Sequence, residues 1–145
     1  MRHTVFLIAY IYFLFIDLRK KEIGIVALSA YAVFALISVA ATRSDITVSR
    51  LIDTVYSISF GLVIYFLSYF SMEGIGLADG LYFVINGLLL TLKENLILFL
   101  TGLMVAFVVG IFLYYFGNNR AKKDTRMPFM PCFLPAIIGY IVCIV

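Results

Sequence analysis

Charge is confined to a few short clusters, and that distribution limits the fold more than any motif does. Six apolar runs cover residues 4–16, 23–41, 51–72, 81–92, 96–116 and 128–145. Only 13% of the 145 residues are charged and 64% are hydrophobic, whereas soluble domains carry roughly 25% charged residues. A water-soluble fold of this length has too little interior to hide so much apolar surface. The runs are long, poor in proline and without sustained alternation, which favours helices over a barrel. The expected class is all-α, a polytopic integral membrane protein. Residues 1–145 are read as one membrane-embedded domain, a six-transmembrane-helix bundle.

The segments between the runs refine this expectation. A basic cluster, Arg19-Lys20-Lys21, follows the first run instead of preceding it. A signal peptide has the reverse order and a small-residue cleavage site, so the run reads as a retained helix extending into residues 17–20. The fourth run has twelve residues (81–92). Twelve helical residues rise only about 18 Å, against a hydrocarbon core of roughly 30 Å. Either that helix is incomplete or it begins inside the preceding Gly-rich stretch, with Asp79 in its first turn. Lys93-Glu94-Asn95 is expected to form a tight turn. Met127-Pro128-Phe129-Met130-Pro131 opens the last helix, where the missing N–H of proline costs least.

Lys and Arg are unequally shared between the two sides of such a bundle. With the amino end outside, inside loops carry seven of them and outside segments four. The positive-inside rule then puts both termini outside and the loops after helices one, three and five inside. The net charge of +3 follows from this topology, with the basic loop at 120–126 touching anionic lipid. Nucleic acid is not an expected partner. Cys132 and Cys143 form no CxxC pair and read as apolar packing residues, so neither a metal nor a cofactor is expected. His3, the only histidine, is placed at a frayed amino end.

The stretch Gly74-Ile75-Gly76-Leu77-Ala78-Asp79-Gly80 sets a carboxylate among small residues between two apolar runs. A carboxylate at a bilayer edge is costly and tends to be functional. The topology puts Asp17 and Asp79 on the inside face at similar depth. Asp53 falls on the opposite side beside Arg50, where it suits a helix N-terminus. Two neighbouring carboxyl groups share a proton; the ionised one can take a proton from water while the neutral one polarises a carbonyl. The glycines have two readings. They admit close approach of a substrate backbone, or Gly76 and Gly80 form a small-xxx-small step for helix packing. Asp17 likewise could be an interfacial charge paired with its basic neighbours, and Glu73 could cap the third helix or attract a basic substrate.

Three segments together resemble the prepilin peptidases, polytopic membrane aspartic proteases. Ile16-Asp17-Leu18-Arg19-Lys20-Lys21-Glu22-Ile23 looks like the first catalytic segment of that family. Gly74-Ile75-Gly76-Leu77-Ala78-Asp79 is similar to its G-x-G-D segment, and Met127-Pro128-Phe129-Met130-Pro131-Cys132-Phe133-Leu134 to its Pro-Phe-Gly-Pro segment. The chain departs from the pattern at Ala78 and Met130, which stand where the family has Gly, at Gly80-Leu81-Tyr82, where it often has a basic residue, and at Ile23-Gly24, where it usually has Pro-Asn. The resemblance implies a catalytic pair of Asp17 and Asp79, with Gly74, Gly76, Ala78 and Gly80 shaping the adjoining loop. Pro128, Phe129 and Pro131 would line or brace the site. It implies a cofactor-free endopeptidase in a prokaryotic cell membrane, without a methyltransferase domain. Its partners would be the bilayer and a prepilin-like precursor, whose short basic leader is cut at the cytoplasmic face. The alternatives are a catalytically degenerate homologue serving as a membrane scaffold, and a small transporter using carboxylates as proton carriers. A transporter would place its charges near mid-bilayer, whereas these lie at helix ends.

Overall fold

Apolar spacing decides which face of each helix turns inward. The computed structural model describes residues 2–20, 23–42, 47–70, 76–116 and 130–144. Its helices are α1 (Arg2–Lys20), α2 (Ile25–Ala41), α3 (Val48–Phe70), α4 (Leu77–Leu89), α5 (Leu92–Phe116) and α6 (Leu134–Ile144), the last preceded by a 3-10 turn at Met130–Phe133. No strand occurs among the described residues, so the chain is all-α as expected. On α1 the buried residues are Arg2, Phe6, Tyr10, Phe13 and Asp17, with the 4-4-3-4 spacing of one helical face. The carboxylate therefore extends the same stripe as the core aromatics. On α2 the stripe is Leu28, Tyr31, Ala35 and Ser38.

Among the described residues, two helices contain stretches long and apolar enough to cross a membrane, Val48–Phe70 and Leu92–Phe112. A 23-residue helix rises about 35 Å, enough for a hydrocarbon core of roughly 30 Å. Both helices turn large apolar side chains outward, among them Phe66, Phe70, Met104 and Phe107. A core helix in a soluble protein would bury such residues, so these faces suit lipid. The apolar helices Ile25–Ala41, Leu77–Leu89 and Met130–Val142 are shorter.

The short α4 is the hub of the bundle. It touches α1, α2, α3 and α5, and both of its faces carry buried residues, from Gly80 and Tyr82 to Asn86 and Leu89. Its closest neighbour is α3, and glycines set the spacing. A Cβ added at Gly80 would lie 2.7 Å from Tyr65 Cα, one at Gly87 2.7 Å from the Ile58 nitrogen, and one at Gly61 2.6 Å from Val84 Cα. The small-residue step thus runs through Gly80 and Gly87 against Gly61. Gly76 takes no part in it and is exposed. Aromatic rings bind the remaining elements to this hub: Phe13 of α1 lies 5.6 Å from Tyr82, and Phe133 of the 3-10 turn lies 5.5 Å from Phe83.

Polar contacts show that successive helices run up and down. Arg2 Nε donates to Thr42 Oγ1 at 2.9 Å, joining the start of α1 to the end of α2. Tyr140 near the end of α6 meets His3, and the Met130 N–H meets Asp17. One end of the bundle therefore holds Asp17, Asp79 and Met130, and the other holds His3, Thr42 and Tyr140.

Three boundaries differ from the sequence expectation. The helix α3 starts at Val48, ahead of its apolar run, and the last α-helix starts at Leu134, after the 3-10 turn and not within Met127–Pro131. The third is the start of α5, which comes early. Lys93-Glu94-Asn95 is not a turn; it lies in the first turn of α5. The break falls between Leu89 and Leu92, because Thr91 and Glu94 start the helix. The Thr91 N–H and hydroxyl donate to Glu94 Oε2 at 2.8 and 2.9 Å, the reciprocal bonding of a capping box.

Candidate active site

Asp17 reaches the site because α1 continues past its apolar run to Lys20. The side chain is buried, 6% exposed. Its Oδ2 accepts the backbone N–H of Met130 at 2.8 Å. Burying a carboxylate without such partners is costly, so this bond ties the end of α1 to the 3-10 turn before α6. Tyr10 makes a second tie, two turns earlier on the same face: its hydroxyl donates to the Met130 carbonyl at 3.1 Å.

Asp79 reaches the same region from α4. The Gly-rich stretch ends in an extended residue, Gly76, at φ −64° and ψ 139°, which is the N-cap of α4. Helical bonding starts at once, with the Asp79 and Gly80 N–H groups donating to the Gly76 carbonyl at 3.0 and 3.2 Å. Asp79 is thereby in the first turn, as the helix-extension reading expects. The Gly76 N–H donates toward the Asp79 carboxyl, half of a capping box whose N-cap has no side chain to return the bond. Asp79 is half-buried, because α4 starts inside the bundle: Gly80 packs beside Tyr65 and Ser68, short of the end of α3.

The two carboxyl groups, from the last turn of α1 and the first of α4, lie within electrostatic reach of one another. Cys132 also feels the Asp17 charge. The Cys132 side chain is buried among the core residues of the 3-10 turn, as the packing reading expects. Other candidate residues have plainer positions. Ala78 packs against the core edge, Gly80 faces α3, and Pro131 is half-buried in the 3-10 turn. Gly74, Pro128 and Phe129, with Glu73 and the basic loop at 120–126, lie outside the described residues. Among the described residues no group of three or more His, Cys, Asp or Glu could hold a metal ion.

The opposite end of the bundle collects different chemistry. A cavity of about 110 Å³ is lined there by Arg2, His3, Arg50, Asp53 and Glu94, among others. Asp53 sits with Arg50 and away from Asp17 and Asp79, as the topology requires. His3 is not frayed: it belongs to α1, and its Nδ1 meets the Tyr140 hydroxyl.

The sequence reading missed Tyr10 and the Met130 backbone. Tyr10 is seven residues before Asp17, two helical turns on one face, and that spacing could have found it. A backbone N–H leaves no mark in the sequence. Comparison with family models, curated proteins and solved structures returned no match.

Proposed function

We propose that this chain is a membrane aspartic endopeptidase that removes the short basic leader from prepilin-like precursors. What supports the reading is that Asp17 and Asp79, from separate helices, lie within electrostatic reach of one another at one end of an apolar bundle. The segment gripping Asp17 is the third of the three that carry the family resemblance, through Met130.

In this reading all six helices lie in the membrane and both termini face outside. The dyad faces the cytoplasm, on the side that holds Arg19. Crowded carboxyl groups hold one proton between them. The ionised member takes a proton from water as the water attacks the scissile carbonyl. The neutral member donates a hydrogen bond to the carbonyl oxygen as negative charge develops there. The tetrahedral adduct collapses when the leaving nitrogen receives a proton and the C–N bond breaks. No covalent intermediate with the enzyme is formed. An apolar helix after the leader would lie against the outward faces of the bundle and bring the leader to the dyad.

The test is cleavage of a pilin-like precursor from the same genome by the full chain, alongside Asp17→Asn and Asp79→Asn. Shortening by the wild type that vanishes in both variants supports the dyad. Shortening that survives either change removes that residue from the mechanism. No shortening of several native precursors rejects the peptidase in favour of a scaffold.

A further inference from the structure

The Asp17 carboxylate is held by a peptide that is itself held. Met130 is fully buried, and both of its backbone polar groups bond to α1. Its N–H donates to Asp17 Oδ2 at 2.8 Å, and its carbonyl accepts from the Tyr10 hydroxyl at 3.1 Å. Tyr10 and Asp17 lie on one buried stripe of α1 with Phe6 and Phe13 between and beyond them. Tyr10 is 1% exposed, so its hydroxyl would need a protein partner in any case. The partner it takes is Met130, whose N–H bonds the carboxylate.

We propose that Tyr10 is a positioning residue for the Asp17–Asp79 dyad, acting through the Met130 peptide. The proposal rests on the peptidase reading for its catalytic consequence, while the clamp itself can be measured without catalysis. A carboxylate with one oxygen pinned by an N–H has its other oxygen aimed in a fixed direction. If the peptide tilts, the carboxylate tilts with it, and dyads are sensitive to ångström-scale displacement. Phe6 and Phe13 share the stripe and the burial but have no polar group, so packing alone does not account for a hydroxyl at position 10.

The clamp is tested with Tyr10→Phe in the full chain, which removes one oxygen and keeps the ring. Tyr12→Phe is the control: Tyr12 is 55% exposed, on a face turned away from the core. Amide exchange at Met130 should quicken by about three- to tenfold in Tyr10→Phe, the scale of one lost hydrogen bond, and stay unchanged in Tyr12→Phe. The pH titration of the Asp17 carboxyl carbon, followed by NMR in detergent, should move in Tyr10→Phe alone. In the cleavage assay kcat should fall roughly tenfold with KM unchanged and the pH–rate profile displaced.

Unchanged exchange and an unmoved titration would overturn the clamp whether or not the protein cleaves anything. A working wild type with a normal kcat and pH profile in Tyr10→Phe would overturn the catalytic role. A loss confined to KM would also overturn it, since a positioning residue for the dyad acts on the chemical step. A wild type without cleavage rejects the peptidase reading, and the exchange measurement still decides the clamp.

Discussion

The amino ends of α4 and α5 follow one plan and reach opposite results. Each places an acid three residues after its N-cap: Asp79 after Gly76, and Glu94 after Thr91. At α5 the plan is complete. Thr91 and Glu94 bond each other in both directions, with the Glu94 N–H donating to Thr91 Oγ1 at 3.4 Å. The acid shares its cavity with Asp53, but Arg2 and Arg50 line it too. At α4 the N-cap is a glycine with no side chain, and the charge that acts on the acid comes from Asp17. An acid in the first turn of a helix is therefore an ordinary device. Among the described residues, the α5 acid shares a cavity with Arg2 and Arg50 as well as with Asp53, whereas the charge acting on the α4 acid is that of Asp17.

The largest expected effect breaks this comparison at the dyad. Asp79→Asn keeps size and hydrogen-bonding capacity but removes the carboxyl group that the proposed dyad needs to share a proton. Precursor cleavage should fall by roughly a thousandfold or more, and Asp17→Asn should do the same. The double variant should be little worse than either single one, because groups that act as a unit are not additive. Melting temperature in detergent should change little for Asp79→Asn, since Asn still suits the first turn of a helix. The wild-type pH–rate profile should be bell-shaped, with two apparent pKa values belonging to the pair.

The helix at Asp79 could be placed in the sequence by arithmetic. Residues 81–92 are too short to cross a bilayer, which left an incomplete helix or an earlier start. The helix α4 does start earlier, at Leu77, but it ends at Leu89. Its 13 residues rise only about 20 Å, so it is short as well. The same arithmetic missed the start of α5. It took the charged Lys93-Glu94 for a turn, although Thr91 with Glu94 three residues later is a capping signature. Apolar runs carried the number and order of the helices, because hydropathy is local. The meeting of α1 with the 3-10 turn was not legible in the same way. It depends on a backbone N–H and on a tyrosine that looks like one aromatic among many. The partners of α4 were legible only in part. Gly80 was visible as a small residue, but its counterparts Gly87 and Gly61 depend on the rotation of two helices.

A middle-sized effect sharpens the comparison by changing how α4 is seated without touching its acid. Gly80→Ala puts a methyl 2.7 Å from Tyr65 Cα and 3.1 Å from Ser68 Oγ, so backbone must move. Overpacking of this kind costs about 1–3 kcal/mol, read as a lower melting temperature. Cleavage should fall as well, because α4 carries Asp79 with it. Gly24→Ala serves as the reference, since a Cβ there meets nothing within 4 Å. At α5, Thr91→Ala removes one side of the capping box and should cost about 1 kcal/mol. It should leave the cleavage rate alone, for the site lies at the other end of the bundle.

The smallest effect is the most pointed. Glu94→Gln makes at α5 the same acid-to-amide change that Asp79→Asn makes at α4. Gln keeps an oxygen for the Thr91 N–H and hydroxyl, and it is the other residue that capping boxes use. The interaction of the negative charge with the helix N-terminus is lost, worth about 0.3–1 kcal/mol at an accessible site, together with a screened attraction to Arg2 and Arg50 in the same cavity. Melting in detergent should therefore drop slightly and cleavage should hold. If cleavage instead fell as far as in Asp79→Asn, the reacting carboxylate would lie at the end lined by Arg50 and Asp53. The pairing of Asp17 with Asp79 would then be a structural cap like its counterpart.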